Sequence, residues 1–169
     1  SKPLLFVNPN VFLILLDSLR ADTIFGKQKS CKTPNIDKLI SNGTSFTNGF
    51  CTADHTGVSV LSILRSIFPI TNNINPYKLN PNVETFTKIF KSNNFKTVCY
   101  FPDISFFKTL AKQFDNSIIY DYKNRDDYQK HKEKHLEKLV ETINSQNQSK
   151  SLFSFIHLMD LKYPSVIPD

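Results

Sequence analysis

The sequence predicts an α/β domain built on a mostly parallel, doubly wound sheet with helices on both faces. Short aliphatic runs alternate with amphipathic helical stretches along the whole length, as a parallel sheet with crossover helices requires. The first run, Val11–Leu16, is unbroken by polar residues, the mark of a strand buried on both faces. The chain has 169 residues and is 40% hydrophobic, enough for one domain with a core of its own and too little for two.

The elements follow in order. "VFLILL" at 11–16 reads as a strand ending in Asp17. In "TPNIDKLISNG" at 33–43, Thr33 suits an N-cap and Pro34 the first helical position, Ile36, Leu39 and Ile40 share a face, and Gly43 can close the helix. "SFTNGF" at 45–50 is expected to form a short strand. A polar loop then leads into an apolar helix over "TGVSVLSILR", from Thr56, which stops before Pro69. Asn80-Pro81 is expected to start an amphipathic helix carrying Val83, Phe86, Ile89 and Phe90 and ending at Asn93-Asn94. "KTVCYF" at 96–101 returns as a strand, "SIIY" at 117–120 as a weaker one, 126–144 as a long helix, and "LFSFIHL" at 152–158 as the last strand. There is no internal repeat or low-complexity tract, and "NSQNQSKS" at 144–151 reads as a surface loop.

Charge and cysteine usage narrow the function classes. The net charge is +6, spread evenly, with seven bases and four acids in residues 1–69 and fourteen and eleven in residues 70–169. No basic stripe suited to nucleic acid results, and "KHKEKHLEK" at 130–138 interleaves both signs as a solvated helix face does. Cys31, Cys51 and Cys99 form no CxxC pair, which speaks against a metal knuckle or a disulfide scaffold. The longest apolar run is far too short to span a bilayer and no signal-peptide pattern opens the chain, so a soluble protein is expected.

In a doubly wound sheet the ligand binds beyond the carboxyl ends of the strands. Asp17 and Asp160 fall there, each just past an apolar strand. The helix mouth carries Thr56, Ser59 and Ser62, although a helix start needs only one capping hydroxyl. A strand-end carboxylate and a helix-start hydroxyl can meet around a divalent metal, which would let the hydroxyl act as an alkoxide nucleophile on phosphorus or sulfur. The helix N-terminus would favour the same anion. Taken alone, Asp17 and Thr56 read first as capping residues, His55 as a loop histidine and His157 as a core histidine.

Five blocks, "NVFLILLDSLRAD", "TPNIDKLISNGTSFTNGF", "TGVSVLSILRSIFP", "FKTVCYFPD" and "FSFIHLMDLKYP", occur in the order and spacing of the sulfatase branch of the alkaline-phosphatase superfamily, over most of residues 10–164. The resemblance implies metal-dependent attack on sulfate or phosphate esters through a covalent enzyme intermediate. Position by position, it implies Asp17 as a metal ligand, Ser18 where many members carry a second metal-binding aspartate, and Thr56 as nucleophile and metal-facing hydroxyl. Lys162 stands where the family commonly has a histidine contacting the transferred group, and Ser59 lies near the anion.

Cys51 is not the nucleophile: "CTADH" lacks the Cys-x-Pro-Ser-Arg of classical sulfatases, whose cysteine becomes formylglycine. The Thr-x-x-Ser form is similar to the phosphotransferase and phosphodiesterase members, and the Asp-Ser-Leu-Arg form at 17–20 resembles lipoteichoic-acid-synthase-like and phosphoethanolamine-transferase-like proteins. Val58 replaces a frequent proline, and Arg65-Ser66 replaces the usual Thr-Gly. The implied cofactor is a divalent metal, Zn, Mn, Mg or Ca, and the implied partner an anionic ester. The family's other metal ligands, an aspartate followed by histidine or asparagine, come from a later strand end, so residues 1–169 read as the N-terminal portion of a catalytic domain. Such a portion would leave a sheet face exposed and favour self-association. The alternative is an inactive sulfatase-like module that binds an anion or a partner.

Overall fold

The computed structural model describes residues 9–27, 29–69, 83–122, 125–145 and 150–161. Ten elements run in the order β1 (Val11–Leu16), α1 (Ala21–Ile24), α2 (Pro34–Asn42), α3 (Thr56–Arg65), α4 (Phe86–Ser92), β2 (Lys96–Pro102), α5 (Ser105–Ala111), β3 (Asn116–Tyr120), α6 (Arg125–Ser145) and β4 (Leu152–Leu158). The four strands form one sheet in the order β1-β4-β2-β3. Every neighbouring pair is parallel, with Leu15 opposite His157 and Cys99 opposite Phe155.

Strand alternation sorts the core into two layers. Cys99, Phe101, Phe153 and Phe155 point to one face, where Val60, Leu61 and Leu64 of α3 and Phe106, Phe107 and Leu110 of α5 cover them, with Phe86 and Phe90 of α4 alongside. Val98, Tyr100, Ile118, Tyr120 and Ile156 point to the other, under Leu136, Leu139 and Ile143 of α6. Phenylalanines join the first layer: Phe90 stacks on Phe153 at 4.4 Å, and Phe101 meets Phe155 edge to face at 5.1 Å. The second layer holds the stacked rings of Tyr100 and Tyr120, 4.6 Å apart. Because α6 packs on β2 and β3, one face of β1 stays open, with Phe12 46% and Ile14 53% exposed, so β1 is not buried on both faces as its unbroken aliphatic run predicts.

Several sequence expectations change. No strand forms at 45–50; these residues are exposed turn and loop, and Phe46 and Phe50 contribute nothing to the core. A strand lacking a ladder partner leaves its backbone groups to solvent, and "SFTNGF" has too few apolar residues to outweigh that. The helix assigned from Asn80-Pro81 begins at Phe86, after Thr85, while 80–82 lie outside the described residues. Helix α5 has no counterpart among the expected elements, yet it supplies Phe106, Phe107 and Leu110 to the core. Thr33 precedes α2 as expected, but its hydroxyl donates to the Asp37 carboxylate at 3.1 Å rather than capping the backbone, and Lys29 pairs with the same carboxylate. Gly43 ends α2 in an extended conformation, and Leu39 remains 71% exposed.

Helix α3 closes through Ser66, which adopts a left-handed conformation at φ 54 while Ile67 N–H reaches back to the Ser62 carbonyl at 3.2 Å. Arg65, in place of a small residue, lies exposed at the helix end. A left-handed L-residue costs about 1–2 kcal/mol, and glycine's extra chain entropy offsets about half of that. Ser66→Gly is therefore expected to raise unfolding stability by about 0.5–1 kcal/mol, read by urea denaturation.

At the amino end of the sheet, Asp115 ties β2, β3 and α4 together. Its carboxylate accepts from Thr97 N–H at 2.9 Å and Thr97 Oγ1 at 3.0 Å, and pairs with Lys91 Nζ at 3.0 Å. Burial pushes the Asp115 carboxyl up, but the Lys91 and Thr97 interactions together outweigh it and hold the pKa below the ordinary aspartate value. A depressed folded pKa means this stabilisation is present above the unfolded-state value and fades as pH falls through the folded one. Asp115→Ala should cost about 2 kcal/mol at neutral pH, and the gap from wild type should shrink in urea titrations below the usual aspartate range.

Candidate active site

The carboxyl edge of the sheet gathers the chemistry. The first strand continues past Leu16: Asp17 N–H donates to the Leu158 carbonyl at 2.9 Å, so the β1–β4 ladder fixes the Asp17 backbone. The next residue, Ser18, turns the chain away in a left-handed conformation, φ 63. A non-glycine residue held there carries strain, and such strain concentrates at functional sites.

Thr56 is the first residue of α3, with His55 at the N-cap in extended conformation and no side chain capping the first turn. The Thr56 hydroxyl reaches across to β1 and donates to Asp17 Oδ2 at 3.4 Å. Ser18 Oγ donates to the other oxygen, Asp17 Oδ1, at 3.3 Å. The structure thus brings three of the sequence-selected residues, Asp17, Ser18 and Thr56, into one constellation, with the aligned peptide dipoles of α3 behind it.

The remaining hydroxyls at this helix mouth have other work. Ser59 Oγ donates to the Ala53 carbonyl at 2.8 Å, strapping the loop at 51–55 onto α3, and borders a cavity of about 350 Å³ beside Ser62, Ile63 and Phe68. Ser62 Oγ bonds back to the Val58 carbonyl at 2.9 Å within the helix. His55 is exposed in the loop. Asp160 pairs with Lys132 of α6 at 2.5 Å, anchoring the segment after β4. Lys162 lies outside the described residues.

One residue read from the sequence as a core histidine stands beside the site. His157 of β4 is wholly buried, its ring 4.6 Å from that of Phe107, and its Nε2 lies 3.3 Å from Asp17 Oδ2. Parity was the available signal: 153, 155 and 157 share a face, and 157 is the residue of that series nearest the carboxyl edge.

Among the described residues no three His, Cys, Asp or Glu side chains gather as a metal site. The pair that is present nevertheless fits two positions on one ion. Oxygen ligands at roughly 2.1–2.4 Å and at right angles lie roughly 3.0–3.4 Å apart, and Asp17 Oδ2 and Thr56 Oγ1 are 3.4 Å apart.

An all-parallel sheet flanked by helices, with a strand-end carboxylate facing a helix-start hydroxyl, places this chain among the doubly wound α/β domains that work at the carboxyl edge. The family model described as Sulfatase matches residues 9–161, and the chain belongs to that family. Among solved structures, it is similar to BT4656 in complex with its substrate D-glucosamine-2-N,6-O-disulfate, with 16% identity, a TM-score of 0.70, and 88% of this chain and 34% of that one covered. It is also similar to the phosphonate monoester hydrolase of Agrobacterium radiobacter, with 14% identity, a TM-score of 0.72, and 95% and 42% covered. The chain therefore spans less than half the length of either structure, and at these identities the likeness establishes the fold. No curated protein sequence matches it. No described helix is long and apolar enough to cross a membrane.

Proposed function

We propose that the full-length protein is a hydrolase or transferase of sulfate or phosphate esters in which Thr56 is the nucleophile and Asp17 a divalent-metal ligand. The observation that carries this reading is the 3.4 Å approach of Thr56 Oγ1 to Asp17 Oδ2 at the mouth of α3. Membership of the sulfatase family and the fold of two ester-cleaving relatives support it.

Asp17 and Thr56 would hold the metal, with Ser18 beside them, and the ion when bound would lower the pKa of the Thr56 hydroxyl. Zn, Mn, Mg or Ca all suit an oxygen donor pair. Asp17 is fixed for this by its backbone bond to Leu158, and Ser18 steadies its second oxygen. Deprotonated Thr56 Oγ1 then forms the bond to sulfur or phosphorus while the ester oxygen departs with the bonding electron pair. The N–H groups of the first turn of α3 face the developing charge on the non-bridging oxygens. Lys162 would add positive charge to the transferred group, as a point charge rather than a proton shuttle. Water or another alcohol then takes the group from Thr56.

The test is hydrolysis of p-nitrophenyl phosphate, p-nitrophenyl sulfate and bis-p-nitrophenyl phosphate by the full-length protein with added Zn²⁺, Mn²⁺, Mg²⁺ or Ca²⁺. Metal-dependent release from one ester supports the reading and identifies the ester class. No release from any ester, under any metal, favours the anion- or partner-binding module.

A further inference from the structure

The buried histidine at the end of β4 has a role that packing does not explain. We propose that His157 is a positioning residue: its imidazole fixes Asp17 Oδ2 in the orientation that pairs it with Thr56 Oγ1. The inference rests on the reading of Asp17 as a metal ligand.

Phe153 and Phe155 precede His157 on the same face of β4, and a third phenylalanine would fill that layer at no desolvation cost. An imidazole with none of its side chain exposed is instead placed where its polar edge meets Asp17. A carboxylate only accepts, so the approach is favourable when the facing nitrogen carries a proton. At 3.3 Å the contact is an electrostatic approach rather than an aligned N–H···O bond, and it acts in a site where the Asp17 side chain is only 12% exposed and solvent screens little.

The backbone of His157 is held at two points and its ring at a third. Leu15 lies opposite His157 in the parallel register, setting the height of the ring against Asp17 two residues on. The Tyr120 hydroxyl donates to the His157 carbonyl at 2.8 Å, fixing the strand end. Phe107 tilts against the ring at 50°, restricting its rotation. Asp17 Oδ2 thereby lies between the Thr56 hydroxyl, which donates to it at 3.4 Å, and His157 Nε2, which approaches to 3.3 Å. Partners of this kind orient a ligating carboxylate, and their loss typically weakens metal binding by about 10–100-fold.

The experiment compares wild type, His157→Phe, His157→Leu and His157→Gln in the full-length protein, reading Mn²⁺ and Zn²⁺ affinity by equilibrium titration and metal-free thermal unfolding. Phe keeps the ring against Phe107 without a donor, Leu removes the donor with a smaller side chain, and Gln restores an N–H near the Nε2 position. The expected result is affinity weakened about 10–100-fold in whichever of the Phe and Leu variants folds, recovery to within about threefold of wild type in the Gln variant, and metal-free unfolding temperatures that do not follow this order. Unchanged affinity in the donor-less variants, or equal loss in all three, overturns the proposal. Wild-type protein that takes up neither ion overturns the metal reading of Asp17, and this proposal with it.

Discussion

Thr56→Ala in the full-length protein is expected to abolish turnover of the preferred ester, lowering kcat by about 10³-fold or more, because a nucleophile acting by covalent catalysis has no substitute side chain at its position. The neighbours cannot take over. Ser59 spends its hydroxyl on the Ala53 carbonyl and Ser62 on the Val58 carbonyl. Stability should change little, because the helix start carries no side-chain cap to lose and the Thr56 hydroxyl bond to Asp17 is long, at 3.4 Å. Thr56→Ser, which keeps an Oγ on the same helix position, should retain measurable turnover. The check is a kcat comparison of the three proteins at saturating metal, with circular dichroism to confirm the fold.

Asp17→Asn is expected to weaken divalent-metal affinity by at least about 100-fold, more than the loss of an outer partner, and to remove metal-dependent turnover at ordinary metal concentrations. Asparagine preserves the shape and still accepts at one oxygen, so the Leu158 backbone bond and the β1–β4 ladder should persist. The amide lacks the negative charge a hard cation requires. Equilibrium titration with Mn²⁺ or Zn²⁺, run with a melting curve in chelator, separates loss of the ligand from loss of the fold. An Asp17→Asn protein that binds metal as tightly as wild type removes Asp17 from the site.

Sequence pattern revealed the frame of this molecule where local chemistry and tertiary demand agree. The aliphatic run at β1, the phenylalanine-rich β4 and the Thr33-Pro34 helix start all appear where periodicity and capping place them. It failed where the decision is non-local. "SFTNGF" has strand-like residues but no ladder partner, whereas "SFFKTLA" is short and uncapped yet becomes α5 because Phe106, Phe107 and Leu110 fill the space over Phe101 and Phe155.

The candidate site was legible to the same degree. Asp17 and Thr56 could be paired from sequence because each ends or begins an element at the same sheet edge. His157 could not, because its meaning depends on β4 being the direct neighbour of β1, and strand order is a property of the whole chain. Position 157 is hidden inside an apolar run, so only the parity of β4 combined with that neighbour relation aims its ring at Asp17.

The most direct test is to quench the full-length protein during turnover of its preferred ester and locate the covalent adduct by tandem mass spectrometry. The account predicts a sulfuryl or phosphoryl group on the peptide containing Thr56, mapped to that residue and missing in Thr56→Ala. An adduct on another side chain, or sustained turnover by Thr56→Ala, would contradict it.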